Sequence, residues 1–350
     1  MRPAAGRAAL AWRPERILVL KPSSMGDVIH ALPAVGLLRE RWPDARIVWL
    51  VNSEWRPLLD DNPDIDGVIE FPRSRFRGLA GAARFGGWLA GQWRQLRADL
   101  VVDYQGLLRS ALIGRIAARR MLAGLADARE GARHFYQLVA QFDEPRHSVE
   151  RYLALSSLLS GLAAPASPRF ALPDGCPPAL DGGLPREFIV LHPFSRGAGK
   201  SLDCDQSARL ASLLGSELPV VLVGRAPREL APVAGGRIVD LLNRTSLHEL
   251  VWLMRRARAV VSVDSGPMHI AAAVNPATVG IHTWSLPAKV GPFSDSALVW
   301  KAGRIAPARA DGRQSEVAAD AAGVDEAALQ QIAAAVRERL DGRPPGAGGL

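Results

Sequence analysis

The sequence predicts an α/β protein built from two Rossmann-like halves, and three observations carry that expectation. Short apolar runs alternate with amphipathic stretches, which is the βα pattern of a parallel sheet. The alternation breaks at a Pro/Gly-dense segment and then restarts. The chain of 350 residues also exceeds the roughly 100–200 usual for one domain, so two cores and a cleft between them are expected.

In the first half the candidate strands are ILVLK at 17–21, RIVWLV at 46–51, VIEF at 68–71, DLVVD at 99–103 and RMLAGL at 120–125. After Ser160 the composition shifts to a run of proline, glycine and alanine that sustains neither helix nor central strand. The pattern resumes with FIVLHP at 188–193, PVVLVG at 219–224, RIVD at 237–240, AVVSVD at 259–264 and TVGIHT at 278–283. The expected organisation is a first domain over 1–162, a linker over 163–187, a second domain over 188–324, and a C-terminal helix with a frayed tail over 325–350.

Composition narrows the function classes. Hydrophobic residues at 48% against 22% charged exclude wholesale disorder. The excess of 43 Lys+Arg over 35 Asp+Glu gives a net charge of +8, which favours an anionic partner: a phosphosugar, an acidic lipid surface or a nucleic acid. Scattered arginines such as Arg115, Arg119, Arg120, Arg129 and Arg133 have few aromatics near them and match no nucleic-acid module, so a phosphosugar or membrane surface ranks higher. Cys176 and Cys204 form no C-x-x-C, which fits a reducing cytoplasm. No run approaches the ~20 apolar residues of a bilayer span, so a soluble or peripheral protein is expected.

In open α/β sheets ligands sit beyond the carboxyl ends of the strands, so the loop after the first strand is the first place to look for chemistry. It reads Lys21-Pro22-Ser23-Ser24-Met25-Gly26-Asp27. Gly26 permits close backbone approach, the serines offer hydroxyls, and Asp27 stands where a helix begins. On its own, an Asp there is more often an N-cap than a catalyst.

The second half opens with LHPFSRGAGKSLDCDQ, a strand and a Gly-rich loop ending in Lys200 before a helix. A Walker A loop would need glycine where Phe194 stands, although AVVSVD imitates a Walker B strand ending in Asp264, so an NTPase stays open as an alternative. Lys200 can equally be a solvated lysine at a helix start. In SVDSGPMHIAAA at 262–273 a strand ends at Asp264, Ser265-Gly266 turn tightly, and a helix N-terminus follows with His269 on its first turn, a natural seat for phosphate. Alone, His269 reads as a core histidine and Asp264 as a helix cap.

Several of these strings together resemble glycosyltransferase family 9, and within it the lipopolysaccharide heptosyltransferases of type I. They are KPSSMGDVIHALPA at 21–34, the D-S-G-x-x-H-x-A-A element at 264–272, TSLHEL at 245–250, DYQGLLRS at 103–110 and HSVER at 147–151. The resemblance spans roughly residues 16 to 295 and implies the GT-B architecture, in which two Rossmann-like domains with parallel sheets face a central cleft. It implies an inverting, metal-independent transfer of heptose from an ADP-heptose donor to the Kdo region of the lipopolysaccharide inner core. Asp27 would be the base that takes the acceptor hydroxyl's proton, a role one carboxylate can fill because diphosphate leaves without protonation.

By the same resemblance Lys200 neutralises the donor diphosphate, with Ser195 and Arg196 in the matching phosphate loop. Asp264 meets the donor sugar hydroxyls, Ser265, Gly266 and His269 hold phosphate, Glu229 holds the ribose, and the backbone near Thr245 meets the base. The acceptor would be met by Lys21, Ser23, Ser24, Gly26, Gln105 and Arg109, since guanidinium forks suit carboxylates and phosphates. Taken singly, these arginines are as well explained as solvated helix faces and Glu229 as a first-turn acid. The resemblance implies no cofactor, since the nucleotide sugar is a substrate, and it implies Kdo-lipid A or a related acceptor at the inner face of the inner membrane.

The sequence departs from the family pattern at Phe194, at Leu202-Asp203 in place of W-P, and over 282–293. Two D-x-D strings, Asp64-Ile65-Asp66 and Asp203-Cys204-Asp205, are read as turn and helix-start acids and not as metal sites.

Overall fold

The computed structural model describes residues 10–76, 78–142, 146–197, 199–226, 237–310, 313–314 and 323–342. The chain divides into two compact units, Met1–Ala171 and Leu172–Leu350. The division falls within the Pro/Gly-dense stretch, where residues 162–188 carry neither helix nor strand.

The first unit contains β1 (Arg16–Leu20), α1 (Met25–Arg41), β2 (Arg46–Asn52), β3 (Gly67–Phe71), α2 (Leu79–Leu96), β4 (Ala98–Asp103), α3 (Leu108–Ala117), β5 (Ala118–Leu125), β6 (Leu138–Ala140) and α4 (Ser148–Ser160). Its sheet has the order β3-β2-β1-β4-β5-β6, and every pairing is parallel. The central strands read as solid apolar runs because helices cover both faces. In β1, for example, Ile17 to Leu20 are all buried. The chain leaves β1 toward β2 and β3, then returns to β1's other side as β4, so the order reverses between β1 and β4. That switch point opens a crevice at their carboxyl ends.

The second unit repeats the logic with β7 (Ile189–His192), α5 (Cys204–Gly215), β8 (Val220–Leu222), β9 (Ile238–Asp240), α6 (Leu247–Arg256), β10 (Ala259–Val263), α7 (Gly266–Val274), β11 (Thr278–His282), α8 (Pro287–Val290), β12 (Leu298–Lys301), β13 (Arg304–Pro307) and α9 (Glu326–Asp341). The order is β13-β12-β11-β10-β7-β8-β9, parallel except for the β12–β13 pair, and the reversal lies between β7 and β10.

Five strands among the described residues had no counterpart in the sequence reading: β6, β12, β13 and the two-residue antiparallel pair Arg309–Ala310 and Arg313–Gln314. The stretch from Arg304 begins as β13, turned back on β12 by Ala302 and Gly303, both at positive φ. A two-residue connection with both φ positive matches the right-handed twist of the strands it joins. The final helix is not an appendage: Leu329, Ile332 and Val336 of α9 are buried in the second core with Leu210 and Leu214 of α5.

Candidate active site

The loops at the two switch points hold most of the residues singled out in the sequence. After β1, Ser24 is the N-cap of α1 and Asp27 is its N3 residue, joined in a capping box. Asp27 is therefore not the N-cap that its position suggested. Its Oδ2 accepts the Ser24 N–H at 3.1 Å and the Ser24 hydroxyl at 2.8 Å. Its Oδ1 accepts the Tyr152 hydroxyl of α4 at 3.1 Å and lies 3.6 Å from the Lys21 ammonium. Lys21 is buried, donates to the Tyr104 carbonyl at 3.1 Å and lies over the Tyr152 ring.

Electrostatics follow from this packing. Burial pushes the Asp27 carboxyl up, but Lys21, the Ser24 donors and Tyr152 together outweigh it and hold the group below its ordinary value. Burial lowers the Lys21 ammonium despite Asp27 and Asp103, and raises the Tyr152 phenol, which therefore stays protonated as a donor. Asp27 thus stays ionised with 35% of its side chain exposed, while Lys21 keeps only 3%. Lys21, expected among the acceptor contacts, instead sits beneath Asp27, and Ser24 is engaged in holding the same carboxylate.

The loop after β4 is set by Asp103, which is fully buried. One oxygen accepts the Gln105 and Gly106 N–H groups, and the other accepts the Ser110 and Tyr136 hydroxyls at 2.8 Å. Burial raises this carboxyl against those four donors. Gly106 at φ +65 has Ala128 Cα 3.3 Å from where a Cβ would sit, so a glycine is needed there. The turn delivers the Gln105 side chain to accept the Ser23 N–H at 3.1 Å. Ser23, Gln105 and Arg109 line one pocket with Asn52, Phe71 and Arg73. Gly26 is buried in the first turn of α1.

In the second unit, Lys200 is half-buried and paired, and it does not stand at a helix start. It precedes α5 by four residues, its Nζ pairs with Asp264 Oδ2 at 2.5 Å, and it lies over the Trp284 ring. The N-terminus of α5 is capped by Asp203, whose carboxylate accepts the Gln206 N–H, and Phe194 is buried in the core, so this is not the geometry of a Walker A loop. Ser195 is knotted to Ser201, whose hydroxyl lies 2.8 Å from the Ser195 N–H; Arg196 beside it is exposed.

Asp264 is likewise not a helix cap. Burial pushes its carboxyl up; the Lys200 and Ser285 hydrogen bonds bring it below the ordinary value, together with the charge that His282 carries when protonated. Since burial drops His282 to about 4, that ring is neutral at physiological pH, and Lys200 and Ser285 hold the carboxylate there. Ser265 is the N-cap of α7 through its backbone, but its hydroxyl donates to the Val263 carbonyl, so no side chain caps that helix. Asp203 caps α5 and Ser246 caps α6, whereas α7 has no side-chain cap; Pro267 lacks an N–H and the Met268 N–H bonds the Ser265 carbonyl, so the donor its first turn can offer an anion is the Gly266 N–H. Gly266 begins it, and His269 is buried one turn in. Thr245 is half-buried just before Ser246; Glu229 lies outside the described residues.

The sequence reading did not single out Tyr152, Trp284, His282 or Ser285. Tyr152 directly follows the HSVER motif at 147–151, but nothing in that string announces its pairing with Asp27. Both D-x-D strings are engaged structurally: Arg169 grips Asp64 through both oxygens, Arg39 pairs with Asp66, and Asp203 caps α5.

Two Rossmann-like units in tandem, each with polar side chains at its switch point, are the architecture of GT-B glycosyltransferases. The structure of the E. coli heptosyltransferase WaaC with ADP matches at a TM-score of 0.72 and 23% identity, covering 93% of this chain and 99% of that one. E. coli ADP-heptose lps heptosyltransferase II matches at 0.68 and 23%, covering 93% and 98%. In sequence, lipopolysaccharide heptosyltransferase 1 of Salmonella typhimurium is 27% identical over 81% of this chain and 93% of its own length. The Pseudomonas aeruginosa protein of the same name is 29% identical over 80% and 82%. The family model for glycosyltransferase family 9 (heptosyltransferase) matches residues 89–317, and the chain belongs to that family. It is a glycosyltransferase enzyme.

Proposed function

We propose that this enzyme transfers heptose, with inversion and without a metal, from ADP-heptose to the Kdo region of a lipopolysaccharide inner-core acceptor. The single observation that carries the mechanism is Asp27, an ionised, half-exposed carboxylate gripped from beneath by Lys21, Ser24 and Tyr152. The names of the matched relatives support the heptose and lipopolysaccharide parts of the reading.

In this mechanism the acceptor hydroxyl attacks the anomeric carbon and passes its proton to Asp27 while the sugar–phosphate bond breaks and ADP leaves. Lys200 and the Gly266 N–H in the first turn of α7 take up the charge that develops on the diphosphate. Protonation of the leaving group is unnecessary, so no second carboxyl acid is assigned. Ser23, Gln105 and Arg109 hold the acceptor. No cofactor takes part, and the enzyme works at the cytoplasmic side of the inner membrane, where such an acceptor is presented.

The test is transfer from ADP-heptose onto Kdo-lipid A, read by mass spectrometry, with Asp27→Ala as control. Activity that survives in the control removes the mechanism, and activity abolished by EDTA removes its metal-free part. Calorimetry with ADP, UDP and GDP separates this reading from a family member that uses another nucleotide sugar.

A further inference from the structure

Helix α3 is packed inside out. The face it turns to the sheet carries small residues, Ser110, Ala111, Gly114 and Ala117 with a single large one, Ile113. A Cβ on Gly114 would come within 2.6 Å of Leu122, so the helix lies as close as a glycine permits. Its large apolar side chains point outward instead: Leu108, Leu112 and Ile116 are 38%, 44% and 43% exposed. Among the described residues five large hydrophobics are exposed, and three of them form this one stripe. At about 100° per residue, Arg115 flanks the stripe on one side and Arg109 on the other, the whole face spanning about 120°.

The stretch of sequence that contains α2 and α3 is also rich in arginine. Residues 73–120 hold ten arginines against two acids, Asp99 and Asp103, an excess of eight that equals the net +8 of the entire chain. Neither acid offsets the arginines at the surface, since Asp103 is fully buried and Asp99 accepts the backbone N–H groups of Glu15 and Arg16. Beyond the end of α3, Arg119 shares a shallow depression with Arg16, Arg94, Arg97 and the exposed Trp93, and the Arg97 guanidinium lies over the Trp93 ring.

We propose that this surface, the outer face of α3 with the C-terminal end of α2, docks the enzyme on an anionic lipid bilayer. An aliphatic stripe edged by arginines, with a tryptophan and further arginines beside it, is the composition that sinks into the headgroup layer while its cations meet lipid phosphates. A nucleic acid would be met by aromatic stacking, which a Leu/Leu/Ile stripe does not offer. A second copy of the chain would set these arginines against one another. The N-terminal end of α3 also borders the pocket lined by Ser23, Gln105 and Arg109. The docking face thus leads to the pocket assigned to the acceptor sugar; that link rests on the function proposed above, whereas the docking face does not.

The experiment is co-sedimentation of the full chain with acceptor-free vesicles. Phosphatidylglycerol/phosphatidylethanolamine vesicles should bind it, pure phosphatidylcholine vesicles should not, and added salt should weaken the binding. Arg115→Gln with Arg119→Gln should lower the partition coefficient about 25-fold, about fivefold for each arginine. Leu112→Gln with Ile116→Gln should lower it as well, and neither pair should shift the melting temperature, since all four side chains are exposed. Both variants should keep wild-type turnover on a deacylated, water-soluble acceptor and lose it on acceptor embedded in vesicles. Equal binding to both vesicle types, unchanged binding by the variants, or displacement from anionic vesicles by RNA would overturn the proposal. Vesicle binding as described without transfer to any acceptor would instead remove the proposed function and leave the docking face standing.

Discussion

Replacing Asp27 with Asn tests the site most directly, because the substitution keeps the shape of the side chain and removes only its charge and half of its accepting capacity. The carboxylate has donors on both oxygens: two from Ser24 on Oδ2, and the Tyr152 hydroxyl with the nearby Lys21 ammonium on Oδ1. An amide can satisfy one side only. In its better orientation the oxygen stays with Ser24 and the NH2 faces Tyr152 and Lys21, which loses one hydrogen bond to a charged acceptor, a cost of about 1.5–3 kcal/mol. Lys21, already lowered by burial, loses the charge that opposes that shift and sheds its proton more readily, which limits the damage. The expected outcome is a protein that still folds and melts a few degrees lower. Its turnover should fall about 10²–10⁴-fold through loss of the base. Affinity for ADP should be unchanged, because the groups assigned to the diphosphate belong to the other unit. Steady-state transfer rates, calorimetry with ADP and a thermal melt measure the three quantities separately. Turnover within about tenfold of wild type, in a folded variant, would refute the assignment of Asp27 as base.

Other expectations follow from the same geometry. Lys200→Met leaves Asp264 buried without its cation and should weaken ADP binding about 10–100-fold, as expected for a charge-assisted contact; an unchanged dissociation constant removes Lys200 from the diphosphate site. Tyr152→Phe deletes a donor that favours the ionised form of Asp27, so the acid limb of the kcat/KM profile should move to higher pH, and an unmoved limb contradicts the coupling. Burial depresses His192 and His282 from about 6.5 to about 4, so the unfolded chain binds protons first as pH falls. Stability should drop through that window by about 2 kcal/mol per ring between pH 7 and pH 5, read from urea unfolding; a flat profile would show that the rings take up protons in the fold as readily as in the unfolded chain.

What the sequence made legible depends on how local the cause is. β1, β10 and β11 are buried along almost their whole length because both faces are covered, and their apolar runs, such as ILVL at 17–20 and AVV at 259–261, show it in any window. β6 has three half-buried or edge residues, and β13 exists only because Ala302 and Gly303 turn the chain back; neither has a composition of its own to announce it. At the site the same distinction holds. Ser24 and Asp27 are three residues apart and were found together. Tyr152 reaches Asp27 from 125 positions away and Lys200 reaches Asp264 from 64, so the partner of each charge could not be read from its neighbours. This is why Lys200 was open to reading as a solvated lysine and Asp264 as a cap.

A lysine and an aspartate meet at the switch point of each unit, but with reversed exposure. In the first, Lys21 is 3% exposed and Asp27 35%; in the second, Lys200 is 21% exposed and Asp264 5%. A buried member supplies a fixed field, because it cannot rotate into water, and the outward member meets whatever binds. Beneath Asp27 the fixed charge is positive, so the outward carboxylate is ionised over the whole neutral range and a weak base at rest. In the proposed mechanism it would accept a proton only as the attacking hydroxyl becomes acidic, late in bond formation, which suits a transfer whose anomeric centre develops positive charge first. Beneath Lys200 the fixed charge is negative, and among the described residues one of the ammonium's three donors is committed, to Asp264. Under the proposed function an arriving diphosphate would find a cation already oriented and need not reorganise the loop to reach it. On the proposed roles, which member of each pair is buried would set whether that unit of this chain presents a proton acceptor or an anion seat.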